Sequence, residues 1–202
     1  MFNNNFILKD GIVDFNLKDE VTLRVGKFYE EDPFPNYKIN DNKHTILQIG
    51  EKNTLLKEFK KFIGFNKSLI DIGSGTCQVS NYLAIGTNNQ IYAFDSSFHS
   101  LKLGKEFADK NSINNIKFVR GDIFDKNFKD ESFDFIWCNG VLHHTKNPYE
   151  AFKSIIPCLK KNGYILLGLY NKIGRFRTKF RKYIYKFFGK KTVIKFDPFE
   201  II

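Results

Sequence analysis

Three aspartates and two glycines in this 202-residue chain stand where their side chains and backbone could do chemistry together. Asp71 leads into Gly73-Ser74-Gly75-Thr76. Asp95 closes the apolar run 90–94, and Asp122 follows the run 116–119 after Arg120-Gly121. Glycines there let the backbone pass close to a ligand, and a helix that follows them offers free N–H groups. An acid about 20 residues past such a loop can accept hydrogen bonds from both hydroxyls of a ribose. An acid at the end of the next strand can accept from the exocyclic amine of adenine. Any one of these aspartates reads equally well as a solvated turn residue. Three at successive strand ends, around one glycine loop, describe a nucleoside site. The dinucleotide pattern wants a further glycine at position 78, where Gln78 stands. The first loop is therefore read as holding no pyrophosphate, which disfavours a hydride-transferring oxidoreductase.

His143 and His144 follow a fourth apolar run, 133–138, and the pair Asn139-Gly140. Histidine titrates near neutrality, so either could serve as a general base at that strand end. The competing reading is that they cap or pack the loop. No Asn/Asp-Pro-Pro-aromatic segment follows this strand, and no Pro-Cys pair supplies a nucleophile for cytosine C5. Cys138 lies within the strand and is expected to be buried and inert. Cys77, Cys138 and Cys158 form no CxxC pair and leave an odd count. That composition fits reduced thiols and a cytoplasmic location, with no disulfide framework and no metal site.

The elements that must position these residues alternate along the chain. Strands are expected at 68–72, 90–94, 116–119, 133–138 and 164–170. Helices are expected after Gly75 to about Ala84, from a Ser97 cap to about Lys110, and from Pro148 through a stripe of Ala151, Phe152, Ile155, Ile156 and Leu159. Pro157 should kink or shorten the last of these. Strand–helix alternation implies an α/β fold, a mostly parallel twisted sheet with helices on both faces. Upstream, residues 6–15 read as a hairpin around Asp10-Gly11, and residues 54–63 carry apolar side chains at helical spacing. Three segments result: 1–53, a hairpin and an aromatic, proline-rich cap; 54–171, the ligand-binding domain; and 172–202, a basic amphipathic tail.

Four stretches in order resemble the motifs of class I S-adenosylmethionine-dependent methyltransferases, nearest the bacterial type 11 group: Ile70-Asp-Ile-Gly-Ser-Gly-Thr76, Ala93-Phe-Asp95, Arg120-Gly-Asp-Ile123 and Cys138-Asn-Gly-Val-Leu-His-His-Thr145. The resemblance covers about residues 54–171 and implies a Rossmann-like fold and S-adenosylmethionine as cofactor. By position it implies that Asp71, Gly73 and Gly75 hold the methionine end, that Asp95 takes the ribose, and that Asp122 and Ile123 take the adenine. Asn139 and Gly140 would line the floor beside the sulfonium. Cys77 replaces a third glycine of the loop and is expected to crowd the cofactor. Lys161-Asn162 replaces a common Pro-Gly. The terminal strands of such folds look reduced or missing, with 192–196 the one strand candidate after Tyr170, so the chain reads as minimal or truncated. The segment 28–37 resembles one that covers the cofactor in some bacterial methyltransferases, although linker packing of Tyr29, Phe34 and Tyr37 is favoured. The 6–15 hairpin resembles the last hairpin of a zinc ribbon without its cysteines.

The net charge is +10, and residues 172–202 hold ten of the 32 basic residues but only two of the 22 acidic ones. A Lys-rich composition of this kind also follows from codon bias. Apolar residues from Ile173 to Phe188 fall on one helical face, which reads first as a helix packed on the sheet. The sharper readings are RNA or an anionic membrane surface bound through 172–191. An open sheet edge would also admit a homodimer. By elimination the acceptor is a small-molecule or lipid-like compound. A cofactor-binding but inactive partner protein is the alternative to methyl transfer.

Overall fold

The structure, a computed structural model, describes residues 1–17 and 35–169. The helix and strand expected in the tail, Tyr170, Tyr29 and Phe34 all fall outside the described residues. Within the described residues seven strands form one sheet: β1 (Ile7–Lys9), β2 (Ile12–Asp14), β3 (Ser68–Ile72), β4 (Gln90–Asp95), β5 (Ile116–Arg120), β6 (Phe133–Asn139) and β7 (Leu159–Gly168). Their order is β1-β2-β5-β4-β3-β6-β7, and every pairing is parallel except β1 with β2. The chain leaves β3 towards β4 on one side and later returns to pair β6 on the other. That reversal opens a crevice at the carboxyl ends of β3 and β6.

Among the described residues the α-helices are α1 (Lys43–Lys52), α2 (Thr54–Ile63), α3 (Gln78–Ala84), α4 (Phe98–Lys110) and α5 (Pro148–Ile155). The first four cover one face, through Ile46, Leu56, Phe59, Tyr82, Leu101 and Phe107. The other face carries α5 and an aromatic cluster in which Phe2, Phe15, Tyr92, Phe128 and Phe133 meet largely edge to face. Helices thus lie on both faces, but unequally.

Local chemistry accounts for the boundaries. Asp10 and Gly11 both take positive φ, 51° and 74°, the turn that matches the twist of a two-residue hairpin. Ser97 caps α4, its hydroxyl accepting from the Ser100 N–H at 3.2 Å. Asn147 caps α5 in front of Pro148. Helix α1 had no apolar stripe to announce it. It is set by a capping box in which Asn42 accepts from the Thr45 N–H, and Thr45 accepts from the Asn42 N–H.

Pro157 shortens α5 as expected: the helix stops at Ile155, and residues 156–158 form a 3-10 turn. Three expectations need correction. Ile156 is consequently exposed rather than part of a buried stripe, and Leu159 already belongs to β7. Strand β7 starts five residues earlier than the 164–170 reading: Asn162-Gly163 lies inside it, with Asn162 at φ 63° and a register shift opposite Phe133 and Phe135. The hairpin, read as part of a separate N-terminal segment, is the edge of this same sheet. Val13 and Asp14 pair with Val119 and Arg120. Met1–Asn4 run along the connection after β5, where the Asn3 N–H reaches the Asn127 carbonyl at 3.0 Å and the Met1 carbonyl accepts from the Lys129 N–H at 2.9 Å.

Helix α1 packs on α3 by presenting Gly50 to the buried ring of Tyr82, and a Cβ on Gly50 would stand 2.1 Å from that ring. Alanine gains about 1 kcal/mol of helix propensity there, but overpacking costs about 1–3 kcal/mol where the neighbour cannot move. Tyr82 is pinned, its hydroxyl on Glu51 at 2.8 Å. Gly50→Ala should therefore lower the denaturant midpoint, whereas a gain in stability would mean that α1 is loosely docked.

Candidate ligand site at the strand ends

The loop after β3 is built on left-handed backbone. Gly73, Gly75 and Cys77 take φ of 68°, 52° and 62°. Its N–H groups are used inside the protein. Those of Gly73 and Ser74 donate to the Phe94 carbonyl at 2.8 and 3.1 Å, that of Gly75 to Asp95 Oδ2 at 2.8 Å, and that of Cys77 to the Ser74 carbonyl at 2.8 Å. A pyrophosphate would need these donors free. The loop is a shaped wall, and the end of β4 holds it in shape.

The candidate site residues fall at these strand ends, each in its own surroundings. Asp71 is buried at 2% exposure and accepts the Ser80 hydroxyl of α3 at 2.6 Å. Burial pushes its carboxyl up to about 7; the Ser80 hydrogen bond opposes this and the nearby Asp95 adds to it. Asp95 is half-buried at the end of β4, with Oδ1 accepting the Ser97 N–H at 2.8 Å and Oδ2 the Gly75 N–H. Burial raises its pKa, and the backbone hydrogen bonds, that of Ser97 first and then that of Gly75, oppose this. Asp122 is buried, and its Oδ1 accepts from the Phe124 N–H at 2.9 Å. Ile123 beside it is half-buried.

On the other side of the crevice Asn139 ends β6 and lies over Gly168, so closely that a Cβ there would overlap it. Gly140, at φ 80°, has no described residue within 4 Å of where a Cβ would stand, and its N–H holds the Gly168 carbonyl at 3.0 Å. Val141 covers Gly73, whose added Cβ would meet Val141 at 2.3 Å. The loops after β3 and β6 therefore touch. His143 is half-buried and His144 exposed on the 3-10 turn Leu142–His144, their rings 4.2 Å apart.

Cys77 does not crowd the crevice. Its side chain points the other way, into α4, where a Cβ on Gly104 would stand 2.6 Å from both Cβ and Sγ. Burial pushes its thiol well above the ordinary range. Cys138 is likewise buried, its thiol pushed up to about 12 by burial. Tyr37 stacks on Phe107 with centroids 4.5 Å apart, donates to the Thr76 carbonyl at 2.8 Å, and accepts from Asn81 at 3.0 Å. It braces the loop from behind. The residues that sequence reasoning missed are these braces, Ser80, Asn81, Gly104 and Val141. Only the i+4 spacing of Cys77 and Asn81, bonded at 3.0 Å, had a local signal.

The state of Asp71 is readable through stability. An unfolded aspartate loses its proton near 3.8, while the native one keeps it to about 7. Between those values the native state binds more protons, so stability falls as pH rises. Asp71→Asn removes this dependence. Relative to the unsubstituted protein, the variant should gain about 2–4 kcal/mol between pH 4 and pH 8. Parallel stability curves across that range would show Asp71 ionised throughout.

Comparison with known proteins agrees with this arrangement. Residues 63–192 match the family described as methyltransferase domain. Phosphoethanolamine N-methyltransferase 2 of Caenorhabditis elegans is 26% identical over 132 residues, which is 64% of this chain and 30% of that protein. Demethylmenaquinone methyltransferase of Staphylococcus aureus is 26% identical over 130 residues, 62% of this chain and 53% of that one. The matched part of the chain thus spans 30% and 53% of the length of these relatives. Among solved structures, the cyclase SpnF superposes at a TM-score of 0.58 with 20% identity, covering 71% of this chain and 58% of that one. A SAM dependent methyltransferase from Aquifex aeolicus does so at 0.50 with 19% identity, covering 62% and 71%. At such identities these two likenesses establish the fold and leave the chemistry to the site. With the family match running from the end of α2 through every strand-end loop of the crevice, the chain belongs to the methyltransferase domain family, with a Rossmann-like class I fold.

Proposed function

We propose that the chain binds S-adenosylmethionine in the crevice and transfers its methyl group to a small-molecule or lipid-like acceptor. The observation that carries this reading is the pairing of a loop whose N–H groups are engaged by β4 with three carboxylates along the same edge. Such a site repels a pyrophosphate and suits a nucleoside joined to a sulfonium cation. Each oxygen of Asp95 accepts one backbone N–H and retains a lone pair for one hydroxyl, which matches a ribose diol. Ile123 and Val141 offer half-buried apolar surface on either side. The two relatives, named for phosphoethanolamine and for demethylmenaquinone, support a small-molecule or lipid-like acceptor.

When bound, the cofactor supplies a methyl group on a positive sulfur that leaves as a neutral thioether. The chain's own contribution is positional. The braced loop and Val141 define where the sulfonium end lies, and the wall they form excludes water from that end. Asp95 lowers the cost of a cation there, and Asp71 adds to this where it has lost its proton, above about pH 7. Gly140 leaves room on the β6 side for the acceptor to approach in line. His143, half-buried on the turn that follows, is assigned to take the acceptor's proton, with His144 as the exposed neighbour that passes it to solvent.

The cofactor half of the reading is tested by Asp95→Ala. The substitution removes charge-assisted hydrogen bonds of about 1.5–3 kcal/mol each, so calorimetry should show at least a tenfold loss of affinity for S-adenosylhomocysteine. Unchanged affinity would take Asp95 out of the site. The transfer half is tested by acceptor-dependent release of S-adenosylhomocysteine from amine-headgroup and quinol compounds. His143→Gln should lower kcat and leave cofactor affinity in place, and equal kcat in the variant would reassign the base.

A further inference from the structure

Three charged residues stand in one row across the crevice edge. Asp14, at the end of β2, is in register with Arg120 of β5, and Arg120 is in register with Asp95 of β4. Register partners on neighbouring strands carry their side chains on the same face, so an arginine stands between two carboxylates. Its only charged hydrogen-bond partner among the described residues is Asp14, and its other bond goes to the backbone just after Asp95. Nη1 donates to Asp14 Oδ2 at 3.1 Å and Oδ1 at 3.5 Å, and Nε donates to the Ser96 carbonyl at 3.1 Å. Asp14 is buried, and the Arg120 side chain is 18% exposed. Asp14 is itself held, with Oδ1 accepting from the Asn16 N–H at 2.9 Å, and the hairpin is closed on β5 by the Phe15 N–H on the Arg120 carbonyl at 3.1 Å.

A guanidinium this shielded from water does not stay unpaired. Without Asp14, the other carboxylate of the row is the partner within reach, and a fork-to-fork pair with it is the preferred geometry. That pair would take the oxygen lone pairs that face the crevice. We propose that Asp14 is a positioning residue for the nucleoside: it holds the Arg120 guanidinium off Asp95 and so keeps that carboxylate open to the ribose. The N-terminal hairpin thereby serves the ligand site as well as extending the sheet. This inference rests on the assignment of Asp95 to the ribose.

A double-mutant cycle tests it. In the presence of Arg120, Asp14→Asn should weaken S-adenosylhomocysteine binding at least tenfold by calorimetry. In an Arg120→Gln background the same substitution should change affinity less than threefold, because the competing cation is gone. A merely structural role for Asp14 predicts equal losses in both backgrounds, and that result would overturn the inference. Should Asp14→Asn alone not fold, the contrast is read between Asp14→Asn/Arg120→Lys and Asp14→Asn/Arg120→Gln. The cation-bearing pair should then bind at least tenfold more weakly, and equal affinity would overturn the inference. Asp95→Ala separates this claim from the one beneath it. If Asp95→Ala weakens binding while Asp14→Asn does not, the hairpin's role falls and the ribose site stands. If Asp95→Ala binds normally, both fall.

Discussion

The end of β4 is the part on which the site depends. The Phe94 carbonyl accepts two N–H groups of the glycine loop, and the next residue, Asp95, accepts a third through its carboxylate. Backbone donors at the end of a parallel strand must be satisfied by something. Here one neighbouring strand satisfies three of them, and in doing so fixes a left-handed turn that would otherwise be free to flex. From behind, the same turn is braced by Tyr37 on the Thr76 carbonyl and by the close fit of Cys77 against Gly104. The carboxylate that completes the turn also faces the crevice. In the proposed function, loop geometry and ligand recognition share this one side chain.

A second constraint comes from the face of the sheet opposite α1 to α4. The connection from β5 to β6 contains no helix, and the strands beneath it would be exposed. Phe2 and Phe15 fill that gap together with Phe128, tied down by backbone bonds from Met1 and Asn3. Phe2 and Phe15, both partly buried, thus pack against the core of this face. Through Asp14 the hairpin also reaches the row of charges that ends at Asp95.

What could be read from the amino-acid sequence was whatever local chemistry announces. The strands read at 68–72, 90–94, 116–119 and 133–138 all appear, because buried parallel strands are short apolar runs bounded by turn residues. The glycine loop and the acids after each strand were visible for the same reason. Helix α1 was not, since its mark is a capping box before a polar decapeptide with only Ile46 and Gly50 buried. Partners far apart in sequence were invisible: nothing local says that Val13 pairs with Val119, or that Val141 covers Gly73. Cys77 was misjudged because its position in the loop said nothing of side-chain direction. The left-handed turn sends it towards Gly104, away from the ligand. The bulge at Asn162 likewise looked like a turn, because a left-handed residue before glycine serves in either setting.

The central claim is that the carboxylate which closes the glycine loop also holds the nucleoside. A crystal structure of the protein with S-adenosylhomocysteine tests it most directly. The account predicts both ribose hydroxyls at hydrogen-bond distance, about 2.5–3.0 Å, from the Asp95 oxygens, with the Gly75 N–H still on the same carboxylate. Density that places the ribose elsewhere, with Asp95 bonded to protein alone, would contradict it.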